Sequence, residues 1–251
     1  MLVAFLFAAF FLCLGVLAVL VPNLVKRRRI AVKFNTRFCR IALAMMKVKI
    51  APDLRLQNAN ARGKTYLIVA NHLSYLDILA ISTVVPAVFV TSVEIRDTFF
   101  LGALCKFNCC EFVERRSIWN IKSEIKQIAQ CLQDGFSVTI FPESTTSNGS
   151  QMIRFKSSLI ETAVASQVDV LPICLNYKEI NGRTVNADNR DLAFWYGDME
   201  FFPHLLQLLT IKSMTIGVQV LEELPIDNYK HRKHVTRSAF EKIEGHYLPV
   251  S

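Results

Sequence analysis

His72 and Asp77 stand five residues apart in the stretch Asn71-His72-Leu73-Ser74-Tyr75-Leu76-Asp77, a polar knot between the apolar runs Tyr66 to Ala70 and Ile78 to Ile81. An imidazole held by a carboxylate is a general base with an orienter. The acid fixes the tautomer through one ring nitrogen and stabilises the imidazolium formed when the other nitrogen takes a proton. Geometry decides whether the two can meet, because residues five apart on a regular helix point about 140° away from each other. The short, branched run before the knot reads as a buried strand, and the run after it as a helix. Ser74 followed three residues on by Asp77 has the form of a capping box, with the acid in the first turn where the helix dipole favours it. His72 then lies on the turn, from which its ring folds back onto Asp77. The plainer reading is that Asp77 only caps the helix and His72 only satisfies the turn.

The elements that must position this pair alternate along the chain. Ala87 to Thr91 reads as a strand, Asp97 to Lys106 as a helix, and Cys110 to Glu114 as a strand ending in Arg115 and Arg116. Ser117 reads as the N-cap of a helix whose apolar face is Ile118, Ile121, Ile125, Ile128 and Leu132, stopped by Gly135. Phe136 to Phe141 is the next strand; later come an interfacial or amphipathic helix from Phe201 to Leu209, a strand from Met214 to Leu221, and a basic helix from Lys230 to Gly245. This alternation predicts an α/β fold, a mixed and partly parallel sheet flanked by helices. Ligands in such sheets gather at the carboxyl ends of strands. The polar stretches fall at those ends: the His–Asp knot, Arg115, and the loop Phe141-Pro142-Glu143-Ser144-Thr145-Thr146-Ser147-Asn148-Gly149 with Arg154 and Lys156 beyond it. A loop dense in hydroxyls and backbone donors beside a cation suits a phosphate or another oxyanion. Taken singly, a strand-end Arg is a surface charge and such a loop is only a loop.

The N-terminal segment sets the class. Met1 to Val21 carries no charged side chain, and about 20 such residues suffice to cross a bilayer as a helix. Residues 1–25 are therefore expected to form a transmembrane anchor; a cleaved signal peptide would carry its basic residues before the apolar core. Lys26 to Lys49 holds nine of the 29 basic residues and no acid, which leaves 20 against 21 acids elsewhere, so the net charge of +8 is local to this stretch. Ile30, Phe34, Phe38, Ile41, Met45 and Val48 recur at helical spacing, predicting a basic amphipathic helix over 26–50 that lies on an anionic lipid surface. The positive-inside rule places the rest, one catalytic domain over 51–251, on the cytoplasmic side. The seven cysteines form no C-x-x-C pair and lie near no His at ligand spacing. They support neither a disulfide framework nor a zinc site, and read as small core hydrophobes.

The order of these stretches resembles the 1-acylglycerol-3-phosphate acyltransferases, the lysophosphatidic acid and lysophospholipid acyltransferase family. Its first block, N-H-x-x-x-x-D, is matched by Asn71, His72 and Asp77. The second, an apolar strand plus Arg, is matched by Phe112-Val113-Glu114-Arg115, and the fourth, an apolar-Pro-apolar strand end, by Leu171-Pro172-Ile173. The third, F-P-E-G-T-R-S, stands here as Phe141-Pro142-Glu143-Ser144-Thr145-Thr146-Ser147, with Ser144 where the family usually has Gly and Thr146 where it usually has Arg. Members acting on other lysolipids resemble this chain in having Thr there. Trp195-Tyr196-Gly197-Asp198-Met199 also looks like relatives that use lysophospholipids or lyso-ornithine lipids.

The resemblance implies the glycerolipid acyltransferase fold and transfer of a fatty acyl group from acyl-CoA or acyl carrier protein to the free hydroxyl of a lysolipid. The expected acceptor is 1-acyl-sn-glycerol-3-phosphate, with another lysophospholipid or lyso-ornithine lipid as the alternative. His72 is the implied base and Asp77 its orienter, while Arg115, Glu143, Ser144, Thr145, Thr146 and Lys156 are the implied substrate-binding residues. No metal, bound cofactor or nucleic-acid partner is implied, and the setting is the inner membrane of a bacterium. No G-x-S-x-G elbow occurs, so no acyl-serine is suggested. A thioesterase or lipid hydrolase using the same pair with water, or a silent lipid-binding protein, are the readings from other classes.

Overall fold

Leu67–Ala70 is aliphatic and buried at all four positions, as a strand covered on both faces must be. It lies at the centre of the sheet. The computed structural model describes residues 2–51, 64–114, 121–229 and 231–251. The chain opens with helices α1 (Leu2–Leu20) and α2 (Leu24–Met45), then runs through β1 (Val48–Ala51), β2 (Leu67–Ala70), α3 (Leu76–Val84), β3 (Val88–Ser92), the single turn α4 (Val93–Arg96), α5 (Phe99–Phe107) and β4 (Glu111–Val113). There follow α6 (Ile121–Gln133), β5 (Val138–Ile140), α7 (Glu161–Ser166), β6 (Val170–Ile180), β7 (Arg183–Thr184), α8 (Phe201–Leu208), β8 (Met214–Val220) and α9 (Arg232–Glu244). The sheet order is β1-β8-β6-β2-β5-β3-β4, with β7 on β6. Among the described residues the pairings between these strands are parallel except β6 with β8 and β6 with β7. The mixed, mostly parallel sheet flanked by helices is the expected architecture. The expected cap Ser117 and the face residue Ile118 lie outside the described residues.

The parallel core β6-β2-β5 sets the site. Leu67 of β2 pairs with Val138 of β5 and with Val170 of β6. The three strands therefore run side by side in register, and the loops leaving β2 and β5 meet above them. Asn71 ties this edge down. Its amide donates to the Leu175 carbonyl at 3.0 Å and accepts from the Leu175 N–H at 2.8 Å, so one side chain replaces a ladder rung just past the end of β2.

The N-terminal expectations need correction. Among the described residues no helix is long and apolar enough to cross a membrane. Helix α1 has 19 residues, a rise of about 28 Å against a hydrocarbon core of about 30 Å. Its Phe10 and Leu14 are buried in a small cluster with Phe38, Cys39 and Ala42 of α2, against which Leu104 and Phe107 of α5 also pack. The basic helix stops at Met45, and Val48–Ala51 is instead an edge strand parallel to β8. The face of α2 is also rotated from the one expected. Ile30 and Ile41 are exposed, whereas Arg28, Ala31, Val32, Phe38, Cys39, Ala42 and Leu43 are buried. Arg28 on this face forms a buried ion pair with Glu111 and donates to the Cys109 carbonyl. One of the nine cations expected to face lipid thus binds α2 to the edge of the sheet. All seven cysteines are free thiols, with Cys39, Cys109, Cys131 and Cys174 buried but Cys13 exposed.

Candidate active site

The turn between β2 and α3 brings His72 and Asp77 together. The His72 Nδ1 lies 2.8 Å from an Asp77 carboxylate oxygen whose side chain is fully buried. That oxygen, Oδ2, also accepts the backbone N–H groups of Leu73 at 2.7 Å and Ser74 at 2.9 Å. This is the reciprocal half of the expected capping box. The other half differs, since the Ser74 hydroxyl accepts from the Leu76 N–H at 3.4 Å and Tyr75 occupies the cap position. Two backbone donors and a buried setting hold the carboxylate rigid, and it in turn fixes the tautomer with the proton on Nδ1. Nε2 is then the nitrogen able to accept a proton. The ring is braced from one side by Phe141, whose ring centroid lies 3.9 Å away with its plane nearly parallel, at 11°.

Tyr177 of β6 completes the arrangement and was not among the residues singled out in the sequence. Its hydroxyl donates to the second Asp77 oxygen, Oδ1, at 2.8 Å. Burial first, and then the Asp77 charge, push its own ionisation well above the ordinary phenol range, so it stays a neutral donor. The partners are 100 positions apart. The available signal was a lone tyrosine two residues past the apolar run Val170 to Leu175.

The loop after β5 holds the first loop from the other side. Glu143 is buried, and its two oxygens accept the backbone N–H groups of His72 at 2.9 Å and Ile153 at 3.0 Å. Burial raises its carboxyl to about 7, an increase opposed by those two amides. The Ser147 N–H donates to the His72 carbonyl at 3.1 Å. Both backbone polar groups of His72 are therefore gripped by this one loop. Ser144, where the resemblance expects Gly, has φ +62°, a left-handed conformation that costs a non-glycine residue about 1–2 kcal/mol. Gly149, at φ +81°, has no such latitude, because a Cβ there would meet the Phe194 ring at 2.5 Å.

The structure brings His72, Asp77 and Glu143 into direct contact and places Ser144, Thr145 and Thr146 on the same loop. Thr145 is exposed, and Ser144 and Thr146 are half-buried. The backbone N–H of Lys156 donates to the Pro142 carbonyl at 2.9 Å, while the residue itself is exposed. Arg115 lies outside the described residues. Among the described residues no group of His, Cys, Asp and Glu could hold a metal ion.

A family model described as Acyltransferase matches residues 53–176, the span that contains both loops. The lyso-ornithine lipid O-acyltransferase of Rhizobium meliloti is 30% identical over 211 residues, covering 81% of this chain and 71% of that one. The chain belongs to the acyltransferase family. This acyltransferase is also 31% identical over 152 residues to the 1-acyl-sn-glycerol-3-phosphate acyltransferase of Neisseria gonorrhoeae, covering 61% of this chain and 57% of the other. Its fold matches the crystal structure of the 1-acyl-sn-glycerophosphate (LPA) acyltransferase from Thermotoga maritima, with a TM-score of 0.66 over 96% of this chain and 87% of that one at 17% identity. It is an enzyme of lipid metabolism, in the class that transfers acyl groups.

Proposed function

We propose that this acyltransferase esterifies the free hydroxyl of a lysolipid with a fatty acyl group taken from acyl-CoA or acyl carrier protein, and that its preferred acceptor is lyso-ornithine lipid. The observation that carries the reaction is the His72–Asp77 contact at 2.8 Å, braced by Tyr177 at 2.8 Å. His72 Nε2 takes the acceptor's hydroxyl proton as that oxygen attacks the thioester carbonyl. Asp77 stabilises the imidazolium. When the tetrahedral intermediate collapses, the carbon–sulfur bond breaks and the departing thiolate takes the proton from His72. The intermediate's oxyanion needs donors near its oxygen. The amides of His72, Leu73, Ser74, Ser144 and Ser147 already donate to other acceptors, and the exposed Thr145 beside them is the proposed donor.

The acceptor preference rests on two observations. The relative of Rhizobium meliloti, which aligns over 81% of this chain, is named for lyso-ornithine lipid. Thr146 occupies the third-block position where an Arg would face a phosphate. A zwitterionic head group requires no such guanidinium. Lysophosphatidic acid is the second reading, favoured by the Neisseria relative at 31% identity. The test is competition for one acyl donor between lyso-ornithine lipid and 1-acyl-sn-glycerol-3-phosphate, with the purified enzyme in mixed micelles. The expected result is a kcat/KM at least tenfold higher for lyso-ornithine lipid. A preference for the phosphate acceptor would overturn the acceptor assignment and leave the acyl-transfer chemistry standing.

A further inference from the structure

Helix α8 has apolar side chains on both sides. Its inner side places His204 and Leu208 in the interior, each 3% exposed. Its outer side carries Phe202, Leu206 and, just past its end, Leu209, which are 59%, 68% and 41% exposed. Their spacing of four and three makes one stripe along the helix. Phe99, the first residue of α5 and the chain neighbour of Phe100, is 98% exposed. The Phe100 ring lies 6.1 Å from Phe201 and 5.9 Å from Phe202, so the two helices are neighbours. Scattered exposed apolar side chains are ordinary, but a contiguous aromatic and aliphatic face is a contact surface.

This face is built on the catalytic loop. Tyr75, inside the His72–Asp77 turn, touches the Phe201 ring at 5.2 Å and the Trp195 ring at 5.9 Å, and its hydroxyl lies 3.0 Å from His204 Nδ1. The Trp195 backbone N–H donates to the Leu73 carbonyl at 3.0 Å. Tyr75 is three residues along the chain from His72, so their Cα atoms are at most about 11 Å apart. From Thr98 to Asn108 and from Phe201 to Ser213, the only Lys, Arg, Asp or Glu residues are Lys106 and Lys212, both exposed. Just outside these stretches Arg96, Asp97, Asp198 and Glu200 are also exposed, so the surface is apolar at its centre with charges of both signs at its rim.

We propose that the outer face of α8, with Phe99, docks on the lipid leaflet that holds the acceptor. This rests on the lysolipid reading above. The leaflet is the occupant because the acceptor's free hydroxyl lies in the headgroup layer, about 5–8 Å thick on each side of the hydrocarbon. A base so close along the chain to an inserted aromatic face meets that hydroxyl without drawing the acyl chain into water.

The test uses the full chain with vesicles of phosphatidylethanolamine and phosphatidylglycerol. The substitution Phe202→Trp supplies a local reporter, needed because the N-terminal hairpin carries exposed apolar side chains of its own. Relative to wild type, the added emission is expected to shift blue on vesicle addition and to be quenched by brominated acyl chains. The variant Phe99→Ser/Phe202→Ser/Leu206→Ser changes exposed side chains only. It is expected to lose at least tenfold in acyl transfer to a long-chain lysolipid held in vesicles. Transfer to a short-chain lysolipid dispersed below its micelle concentration should stay within twofold of wild type. An introduced indole that stays unquenched, or equal losses on both acceptors, would overturn the docking surface. So would a wild-type dimer that the triple variant turns into a monomer, since a second copy would then cover this face. If wild type acylates neither lysolipid, the functional reading fails instead, and quenching still decides the docking surface.

Discussion

The loop after β2 and the loop after β5 are both polar, both sit at the ends of central parallel strands, and have different uses. In the first, the polar groups are satisfied internally: Asp77 takes the imidazole, two backbone amides and the Tyr177 hydroxyl. In the second, Glu143 and the Ser147 amide turn back to hold His72, while Thr145 and Lys156 are exposed. On the proposed reaction the first loop moves one proton. The second braces it through Glu143 and Ser147 and is proposed to meet the acceptor with its exposed residues, so changes in it should separate rate from selectivity.

His72→Ala breaks the first loop outright, and acyl transfer should fall about 10³-fold, within the 10²–10⁴ that a positioned base supplies. Asp77→Asn keeps the shape but allows the imidazole the wrong tautomer and leaves the imidazolium uncompensated; kcat should fall about 10²-fold with KM little changed. Both are read by following product lipid at saturating donor.

Glu143→Gln tests whether the second loop acts on the first. The amide keeps one acceptor but turns an NH₂ toward a backbone N–H, loosening either His72 or Ile153. A fall in kcat of about tenfold with unchanged acceptor KM is expected, corresponding to about 1.4 kcal/mol. A rise in KM alone would make Glu143 a substrate contact instead. The variant also has a pH signature. The folded chain holds the Glu143 proton up to about 7 against an ordinary value of 4.5. This group's contribution to stability is therefore full below the ordinary value and is lost as pH rises to about 7. Thermal melts of Glu143→Gln should lack that part of the slope.

Thr146→Arg is the gentlest change and sharpens the contrast. It should shift the ratio of kcat/KM severalfold toward the phosphate acceptor, with the rate on lyso-ornithine lipid nearly unchanged. The same competition assay reads it.

Much of the fold was legible because strand and helix periods are local. Leu67–Ala70 and Val138–Ile140 are short buried runs, and α6 shows its stripe plainly. The His72–Asp77 contact was legible too, because five residues and a capping pattern determine it. What escaped was non-local. Tyr177 reaches Asp77 across the strand order and not along the chain. Glu143 has the letter of a substrate ligand, but its oxygens face two backbone amides that only the folded loops bring near. Arg28 looked like one more surface cation until Glu111 was placed beside it. Val48–Ala51 was hidden inside a basic, helix-periodic stretch and became a strand because β8 offered it a partner.

On the proposed reaction the His72–Asp77 pair passes an acyl group directly from thioester to lysolipid. The most direct measurement is a quenched single turnover with acyl-labelled thioester, with and without lyso-ornithine lipid, partitioning the label among product lipid, protein and free fatty acid. Direct transfer places the label in product lipid alone, appearing only with acceptor present and lost in His72→Ala. Label retained on the protein, or released as free fatty acid at the same rate without acceptor, would contradict it.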